Sequence, residues 1–341
     1  MRSWSRRGIF KIFGIGAALA GSAGKAEAGL FFLKKLLGRP PRETKPITPN
    51  REFYVYHYAD SAYRMIKDLD VRQWSLRITG NVRNPITLTY GDILNRPSSS
   101  VTSTIECIEN PVGGDSIGTA VWRGIPLGPL LNEAGIPPEN RDVVFKAADG
   151  YSDSIPVSKS LMVGVLLAYE MNGQTLPSPH GFPLRVVVPG IYGMKNVKWL
   201  TEIEAVDYDF KGYWQQRGWS DTARVRISSR IDFPGHYQEV QPGRHTVRGS
   251  AYSGDKGISS VEVSTDGGKS WNPARLAVPL SPYAWVLWEF DWEPAREDLY
   301  HVTVRAFDGG GLPQDAADTR PFPDGPTGLD TVIVHVVERK G

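Results

Sequence analysis

One residue of the 341 carries a thiol, Cys107, in the run Ser103-Thr104-Ile105-Glu106-Cys107-Ile108-Glu109-Asn110-Pro111-Val112-Gly113-Gly114. A single thiol makes no intrachain disulfide, and a lone cysteine is as often a small buried hydrophobe as a reactive group. Two local features favour reactivity. The residues before Cys107 read as a short strand, and the Asn-Pro-Val-Gly-Gly after it is turn-forming, which puts the sulfur where a strand gives way to a flexible loop. A thiolate is a soft donor suited to a soft or high-valent metal, and a lone protein ligand requires the other donors to come from elsewhere. Zinc would need several Cys or His at close spacing, whereas the six histidines are scattered. A cysteine nucleophile would need a histidine and a carboxamide or carboxylate brought to it by the fold, an alternative that the spacing leaves open.

The elements that must position this residue fall into two groups. Residues 51–230 give mixed signals. Trp74-Ser-Leu-Arg-Ile-Thr79 alternates like a half-buried strand, Pro129-Leu-Leu-Asn-Glu-Ala134 before Gly135 reads as a short helix with a glycine stop, and Met171-Asn172-Gly173-Gln174 is a hairpin turn. Leu184 to Val188, closed by Pro189-Gly190, suits a strand buried on both faces, where Arg185 is costly unless its charge meets an anion or carboxylate. This is an α+β domain. Over residues 231–341 helix signals stop, and Ser260–Ser264, Ala284–Trp292, His301–Arg305 and Thr331–His335 alternate as short strands, with Thr265-Asp-Gly-Gly-Lys269 as a turn between two of them. The expected architecture is a β-sandwich.

The first residues set the compartment. Ser5-Arg6-Arg7-Gly8-Ile9-Phe10-Lys11 reads as a twin-arginine signal, followed by an apolar run from Ile12 to Ala23 and a candidate cleavage site at Ala26-Glu27-Ala28; an ordinary secretory signal is the alternative. A membrane span needs about 20 predominantly apolar residues, so a retained anchor is the lesser reading of residues 1–28. The twin-arginine route carries folded proteins, which suits a cofactor inserted before export, and the expected location is periplasmic. Residues 29–50 form an arm in which Leu30-Phe-Phe-Leu-Lys-Lys-Leu-Leu37 precedes Pro40, Pro41, Pro46 and Pro49, residues that favour an extended tether. The net charge is +2, or −2 once residues 1–28, with five basic and one acidic residue, are set aside. Nothing in that balance suggests a nucleic-acid partner.

From Glu106 to Leu131 the run Glu-Cys-Ile-Glu-Asn-Pro-Val-Gly-Gly-Asp-Ser-Ile-Gly-Thr-Ala-Val-Trp-Arg-Gly-Ile-Pro-Leu-Gly-Pro-Leu-Leu resembles the molybdenum-ligand segment of the sulfite oxidase family. That family also includes plant nitrate reductase and the bacterial methionine sulfoxide reductase catalytic subunit. A second block, from Leu166-Leu-Ala-Tyr-Glu-Met-Asn-Gly-Gln-Thr-Leu-Pro through His180-Gly-Phe-Pro-Leu-Arg-Val-Val-Val-Pro-Gly to Val197-Lys-Trp-Leu200, is closer still. In the second domain, Val263-Ser-Thr-Asp-Gly-Gly-Lys-Ser-Trp271 and Ala284-Trp-Val-Leu-Trp-Glu289 resemble the family's immunoglobulin-like dimerisation domain.

The resemblance implies a sulfite-oxidase-type molybdopterin-binding domain followed by an immunoglobulin-like β-sandwich that forms a homodimer. It implies one molybdenum held by Cys107 and by the dithiolene of one molybdopterin. His180 and Arg185 match cofactor contacts, Asn196, Val197 and Lys198 match the loop holding the pterin phosphate, and Phe53, Tyr54, Val55, Tyr56 and His57 match the segment beside the cofactor. Asp149 aligns with a further contact, and Tyr151 with the active-site tyrosine, whose hydroxyl can bond the metal-bound oxygen or substrate and couple proton to electron movement. Trp122 is a candidate wall of the substrate pocket or a buried structural tryptophan. No Cys-x-x-Cys-His haem motif is present, and no haem is expected. Electrons are expected to pass through an external carrier such as a c-type cytochrome or a membrane haem protein.

The departures from the family pattern concern the substrate. Where sulfite oxidases and nitrate reductases place arginines around the bound anion, this chain has Tyr56, Val112 and Tyr283, and Lys195 stands where the eukaryotic enzymes carry an arginine. Guanidinium groups are the natural oxyanion receptors, so sulfite binding should weaken unless Arg123, Lys195 or another cation substitutes. The leading expectation is two-electron oxygen-atom transfer that oxidises sulfite or a related sulfur compound. The alternatives are a sulfoxide or N-oxide reductase on the same scaffold, and a cofactor-free binding or adhesion protein.

Overall fold

The computed structural model describes residues 39–66 and 68–338. The twin-arginine segment and Leu30–Leu37 therefore lie outside the described residues. No helix among the described residues is long and apolar enough to cross a membrane.

Two sheets build the first domain. One runs in the order Ile86–Thr89, Ser75–Gly80, Leu200–Val206, Asp142–Ala147, Ser152–Pro156, and only the pairing of Ser75–Gly80 with Leu200–Val206 is parallel. The expected alternation holds in Ser75–Gly80, where Leu76 and Ile78 are buried and Arg77 is exposed. The other sheet places Ser99–Glu106 beside Ile117–Pro126, then Leu166–Met171, which pairs with both Gln174–Thr175 and Arg185–Val187. The Met171–Gln174 turn uses Asn172 and Gly173 at φ 53° and 73°, the left-handed pair that a two-residue hairpin requires. The helix Leu127–Ala134 stops at Gly135, at φ 69°, as a left-handed cap demands. Leu184 to Val188 is buried throughout, Arg185 included.

The second domain is the expected sandwich. Ser228–Phe233, His245–Tyr252, Val286–Trp292 and Arg275–Leu276 form one sheet; Gln238–Val240, Asp330–Val336, Asp298–Asp308, Ile258–Ser264 and Asn272–Pro273 form the other. Its core is a valine cluster closed by Trp288 and Trp292. The sandwich opens at Ser228, slightly ahead of the expected boundary at residue 231, because Ser228–Phe233 already pairs with His245–Tyr252. The 265–269 turn leads from Ile258–Ser264 into the short strand Asn272–Pro273.

The domains meet along the cysteine-bearing strand. Thr104 N donates to Tyr283 O at 3.0 Å, Trp285 N to Thr104 Oγ1 at 2.8 Å, and the Tyr252 hydroxyl to Thr104 O at 3.0 Å. Partners from the second domain thus cover what would otherwise be an open sheet edge. The described part of the arm is packed rather than free. Arg39 bridges Gly113 O at 2.7 Å and Asp330 at 2.7 Å, and Arg42 N donates to Asp232 O.

Candidate active site

Cys107 follows the last residue of Ser99–Glu106, with its N–H donating to Ser116 O at 2.9 Å and its carbonyl accepting from Asn110 N at 2.9 Å. The loop that follows is tied down by hydrogen bonds along its length. Asn110 bonds Glu106 Oε1 at 2.8 Å through its amide and accepts from Ser116 N at 2.9 Å. Arg39 and Arg42 bond Gly113 O, and Arg230 of the second domain bonds Gly114 O at 2.7 Å. Charged donors from two distant parts of the chain satisfy the turn carbonyls, and the sulfur is fixed accordingly.

Burial, and then the charges of Glu109 and Glu106, push the Cys107 thiol up to about 12, against a backbone hydrogen bond at Glu109 that pulls it down. The thiol keeps its proton at neutral pH unless a metal displaces it, which disfavours a free thiolate nucleophile. Among the described residues no three of His, Cys, Asp and Glu gather closely enough to hold an ion. A metal at Cys107 therefore needs donors from outside the protein.

Cys107 opens on a cleft of about 860 Å³, its mouth included, lined by Phe53, Tyr54, Tyr56, Asp149, Tyr151, His180, Arg185, Asn196, Val197 and Lys198 among others. Of the residues expected to touch cofactor, only Val55 is missing from this lining; its side chain points outward and is 47% exposed. Trp122 does not wall the pocket. It is completely buried, and the Arg185 guanidinium lies 4.7 Å over its ring.

The cations of the cleft test whether a phosphate-bearing pterin fits. Arg185 donates to His180 O at 3.0 Å and Asn196 O at 3.2 Å, while its buried Nε has no partner. Lys198 bonds the carbonyls of Tyr56 and Pro179 at 2.8 and 3.1 Å and lies 4.1 Å over the Trp199 ring. Burial, and then the Arg185 charge, hold Lys198 well below the usual lysine range, and burial pushes Arg185 down to about 10. His180 is pushed down to about 4, first by burial, so it is neutral at pH 7 and its Nε2–H donates to Asn50 O at 2.9 Å. A buried arginine with an unused N–H, beside a half-buried lysine whose only nearby carboxylate among the described residues is Asp149, forms an incomplete site. A phosphate would complete it.

The incomplete charge balance predicts a pH effect. Between its lowered value and the ordinary 10.5, Lys198 carries fewer protons in the folded protein than in the unfolded chain, so stability without cofactor rises with pH across that window. Phosphate restores the lysine charge and binds with proton uptake, so above neutral pH cofactor retention should fall as pH rises. Molybdenum retained after gel filtration across a pH series checks this, with Lys198→Met expected to flatten the dependence.

Tyr151 precedes the strand Ser152–Pro156, and its hydroxyl lies 2.9 Å from Met194 O and 3.1 Å from Asp153 Oδ2. Burial, and then Asp153, hold the phenol well above its usual range. Asp149 Oδ1 accepts from Tyr151 N at 3.0 Å. The rest of the wall is mostly aromatic or apolar, with Tyr56, Ile108, Met194, Trp214 and Trp219 beside Glu109; the Tyr56 to Trp214 and Trp214 to Trp219 centroid distances are 6.4 and 6.3 Å. Trp214 and Trp219 carry no motif and lie more than one hundred residues from Cys107 in sequence.

No described arginine other than Arg185 lines this cleft. Of the three positions that lack the expected arginines, only Tyr56 reaches it; Val112 lines a separate cavity between the domains, and Tyr283 packs near Gly164. Neither candidate substitute is available. Arg123 bonds Glu170 at 3.1 Å on the exposed face of its sheet, and Lys195 is buried against Asp153 at 2.8 Å.

The fold, the lone thiol and the cation-lined cleft define a molybdopterin-dependent oxidoreductase. Residues 63–214 match the oxidoreductase molybdopterin binding domain, and residues 220–319 the Mo-co oxidoreductase dimerisation domain. The chain belongs to the sulfite oxidase family. It is 35% identical over 314 residues to an Arabidopsis thaliana sulfite oxidase, covering 73% of this chain and 79% of that protein. It is 33% identical over 307 residues to a Gallus gallus sulfite oxidase, covering 75% of this chain and 66% of that protein. The sulfane dehydrogenase SoxCD of Paracoccus pantotrophus shares the fold, with a TM-score of 0.73 at 23% identity over 99% of this chain and 100% of that one.

Proposed function

We propose that this oxidoreductase, at a molybdenum centre, transfers one oxygen atom to an uncharged sulfur compound of the thioether class and withdraws two electrons from it, in the periplasm, as a homodimer. The supporting observation is the wall around Cys107. It presents Tyr56, Tyr151, Trp214, Trp219, Met194 and the Glu109 carboxylate, while Arg185 and Lys198, already bonded to backbone carbonyls, are assigned to the pterin phosphate and His180 is bonded to Asn50 O. An oxyanion finds no guanidinium fork here, whereas a thioether finds polarizable aromatic faces. Sulfoxide reduction is the same reaction reversed and uses the same pocket. The twin-arginine segment supports the location, the dimerisation-domain match supports the homodimer, and a haem protein is the proposed electron partner.

In this reading Cys107 holds the metal, while Arg185, Lys198 and the 196–198 loop hold the pterin phosphate. When bound, the cofactor supplies two-electron redox and oxygen-atom chemistry. Tyr151 faces the substrate with a hydroxyl that can donate one proton. The aromatic wall excludes water and orients the sulfur, and Asp149 fixes the Tyr151 backbone.

Steady-state assays of the molybdenum-loaded enzyme test the reading with sulfite and a dialkyl sulfide under a one-electron oxidant, and with a dialkyl sulfoxide under a reduced dye. A missing charge-assisted contact at Tyr56, worth about 1.5 kcal/mol, predicts a kcat/KM for sulfite roughly tenfold or more below that of the neutral substrate. A preference for sulfite would overturn the proposal. Tyr56→Arg, at a half-exposed position on the cleft, is expected to lower KM for sulfite about tenfold, measured in the same assay.

A further inference from the structure

We propose that Tyr151, Asp153, Lys195 and Asp221 form a proton path between the active-site cleft and solvent. Tyr151 lines the cleft, and its hydroxyl lies 2.9 Å from Met194 O and 3.1 Å from Asp153 Oδ2. The other carboxylate oxygen, Oδ1, accepts from Lys195 Nζ at 2.8 Å and from Ser154 N at 2.8 Å. Lys195 Nζ lies 3.9 Å from Asp221 Oδ1, and the Asp221 side chain is 46% exposed. The Asp153 and Lys195 side chains are 0% and 3% exposed. The four groups thus link a buried cavity to the surface, and the interior members sit within hydrogen-bond distance of each other.

The alternative is a structural ion pair. A buried pair is a poor source of stability compared with apolar groups of the same shape, and this one abuts the phenol on the cleft wall. Asp153 Oδ2 also takes a bond from Gln215 Nε2 at 3.3 Å, which leaves the oxygen facing Tyr151 free of any lysine contact. Burial raises the Asp153 carboxyl above its usual range even though Lys195 pulls it down, so its two protonation states lie closer together than at the surface. The charged and titratable groups facing the path are Asp149 and Tyr56 toward Tyr151, Asp209 toward Lys195, and Lys211 toward Asp221 at 2.6 Å.

The reaction needs such a path. Oxidation of a sulfur centre with an oxygen atom from water releases two protons and two electrons, and the electrons leave one at a time to an external haem-type acceptor; reduction runs the same balance backward. For each outward proton, Lys195 gives one to Asp221, and Asp153 takes the phenol proton of Tyr151 on Oδ2, with Tyr151 refilled from the cleft. The Asp153 carboxyl then rotates and returns that proton to Lys195, while Asp221 releases its own to solvent. One proton moves outward and every relay group returns to its starting state. Asp153 and Lys195 act through Tyr151 and do not touch substrate. The inference rests on the oxygen-transfer reading, but sulfite oxidation releases the same two protons, so whichever substrate the enzyme turns over serves the test.

Three measurements on the molybdenum-loaded enzyme decide it. Asp221→Asn changes only the exposed end. In weakly buffered medium it is expected to lower kcat about tenfold with KM unchanged, below the roughly 10²–10⁴ contributed by an acid–base group in contact with substrate, and added imidazole should restore the rate. Asp153→Asn alone strands the Lys195 charge, so the neutral pair Asp153→Asn/Lys195→Met is used, with its fold checked by thermal melting. It should lower kcat further and resist imidazole rescue. The infrared difference spectrum on reduction should show a carboxyl band that shifts in D₂O, is retained in Asp221→Asn and is absent from the double variant. Wild-type kcat in both variants, a fall in Asp221→Asn that imidazole leaves unchanged, or a carboxyl band that survives in the double variant would each overturn the path.

Discussion

Replacing Cys107 with serine is expected to abolish turnover while leaving the fold intact. The sulfur's backbone hydrogen bond at Glu109 is one that a serine hydroxyl can also make; the backbone of Cys107 is held through Ser116 O and Asn110 N, and the loop beyond it is pinned by Asn110, Arg39, Arg42 and Arg230. Serine is close in volume, so the stability change should stay within about 1 kcal/mol. A hydroxyl is a harder and far less acidic donor than a thiol. Removing groups that merely support a metal ligand costs roughly 10–100-fold, and loss of the sole protein ligand should exceed that and bring activity to background. Thermal melting and turnover of the same preparation check both halves. Full turnover in Cys107→Ser would remove the metal-ligand assignment.

Arg185→Met should lose both cofactor and stability. The guanidinium satisfies the carbonyls of His180 and Asn196 from a fully buried position on the Trp122 ring, and each buried acceptor left without a donor costs about 1–3 kcal/mol. The methionine side chain recovers part of the packing and none of the charge. Loss of a charge-assisted contact to phosphate, about 1.5–3 kcal/mol, lowers cofactor affinity on the order of 10–100-fold. Molybdenum content per chain and the midpoint of urea unfolding measure the two effects separately. Arg185→Lys keeps the charge but not the planar fork, and is expected to fall between wild type and Arg185→Met in both. A methionine variant that loads molybdenum normally would show that the arginine serves packing alone.

Arg185 shows how far sequence alone could go. An arginine inside the continuous apolar run Leu184–Val188 calls for an anion or carboxylate, and the structure instead supplies two backbone carbonyls and leaves Nε over. The hairpin at Asn172-Gly173 and the helix stop at Gly135 were readable for a similar reason: left-handed backbone selects residues locally. Trp122 was ambiguous because a tryptophan's identity does not say which face of its strand points inward. Its place in Ile117–Pro126 puts it under Arg185 and away from the cleft.

The residues themselves determined the thiol at a strand end and the order of two domains, since each depends on short-range patterns of side-chain type, while the block from His180 to Lys198 was legible through its resemblance to the family. Only the tertiary structure decided the rest. It brought Trp214 and Trp219 beside Tyr56, buried Lys195 against Asp153 instead of offering it to a substrate anion, and tied down a glycine-rich loop through arginines from the arm and the sandwich. These are contacts between residues far apart in the chain, fixed by how the sheets pack, and no local pattern of residue types records them.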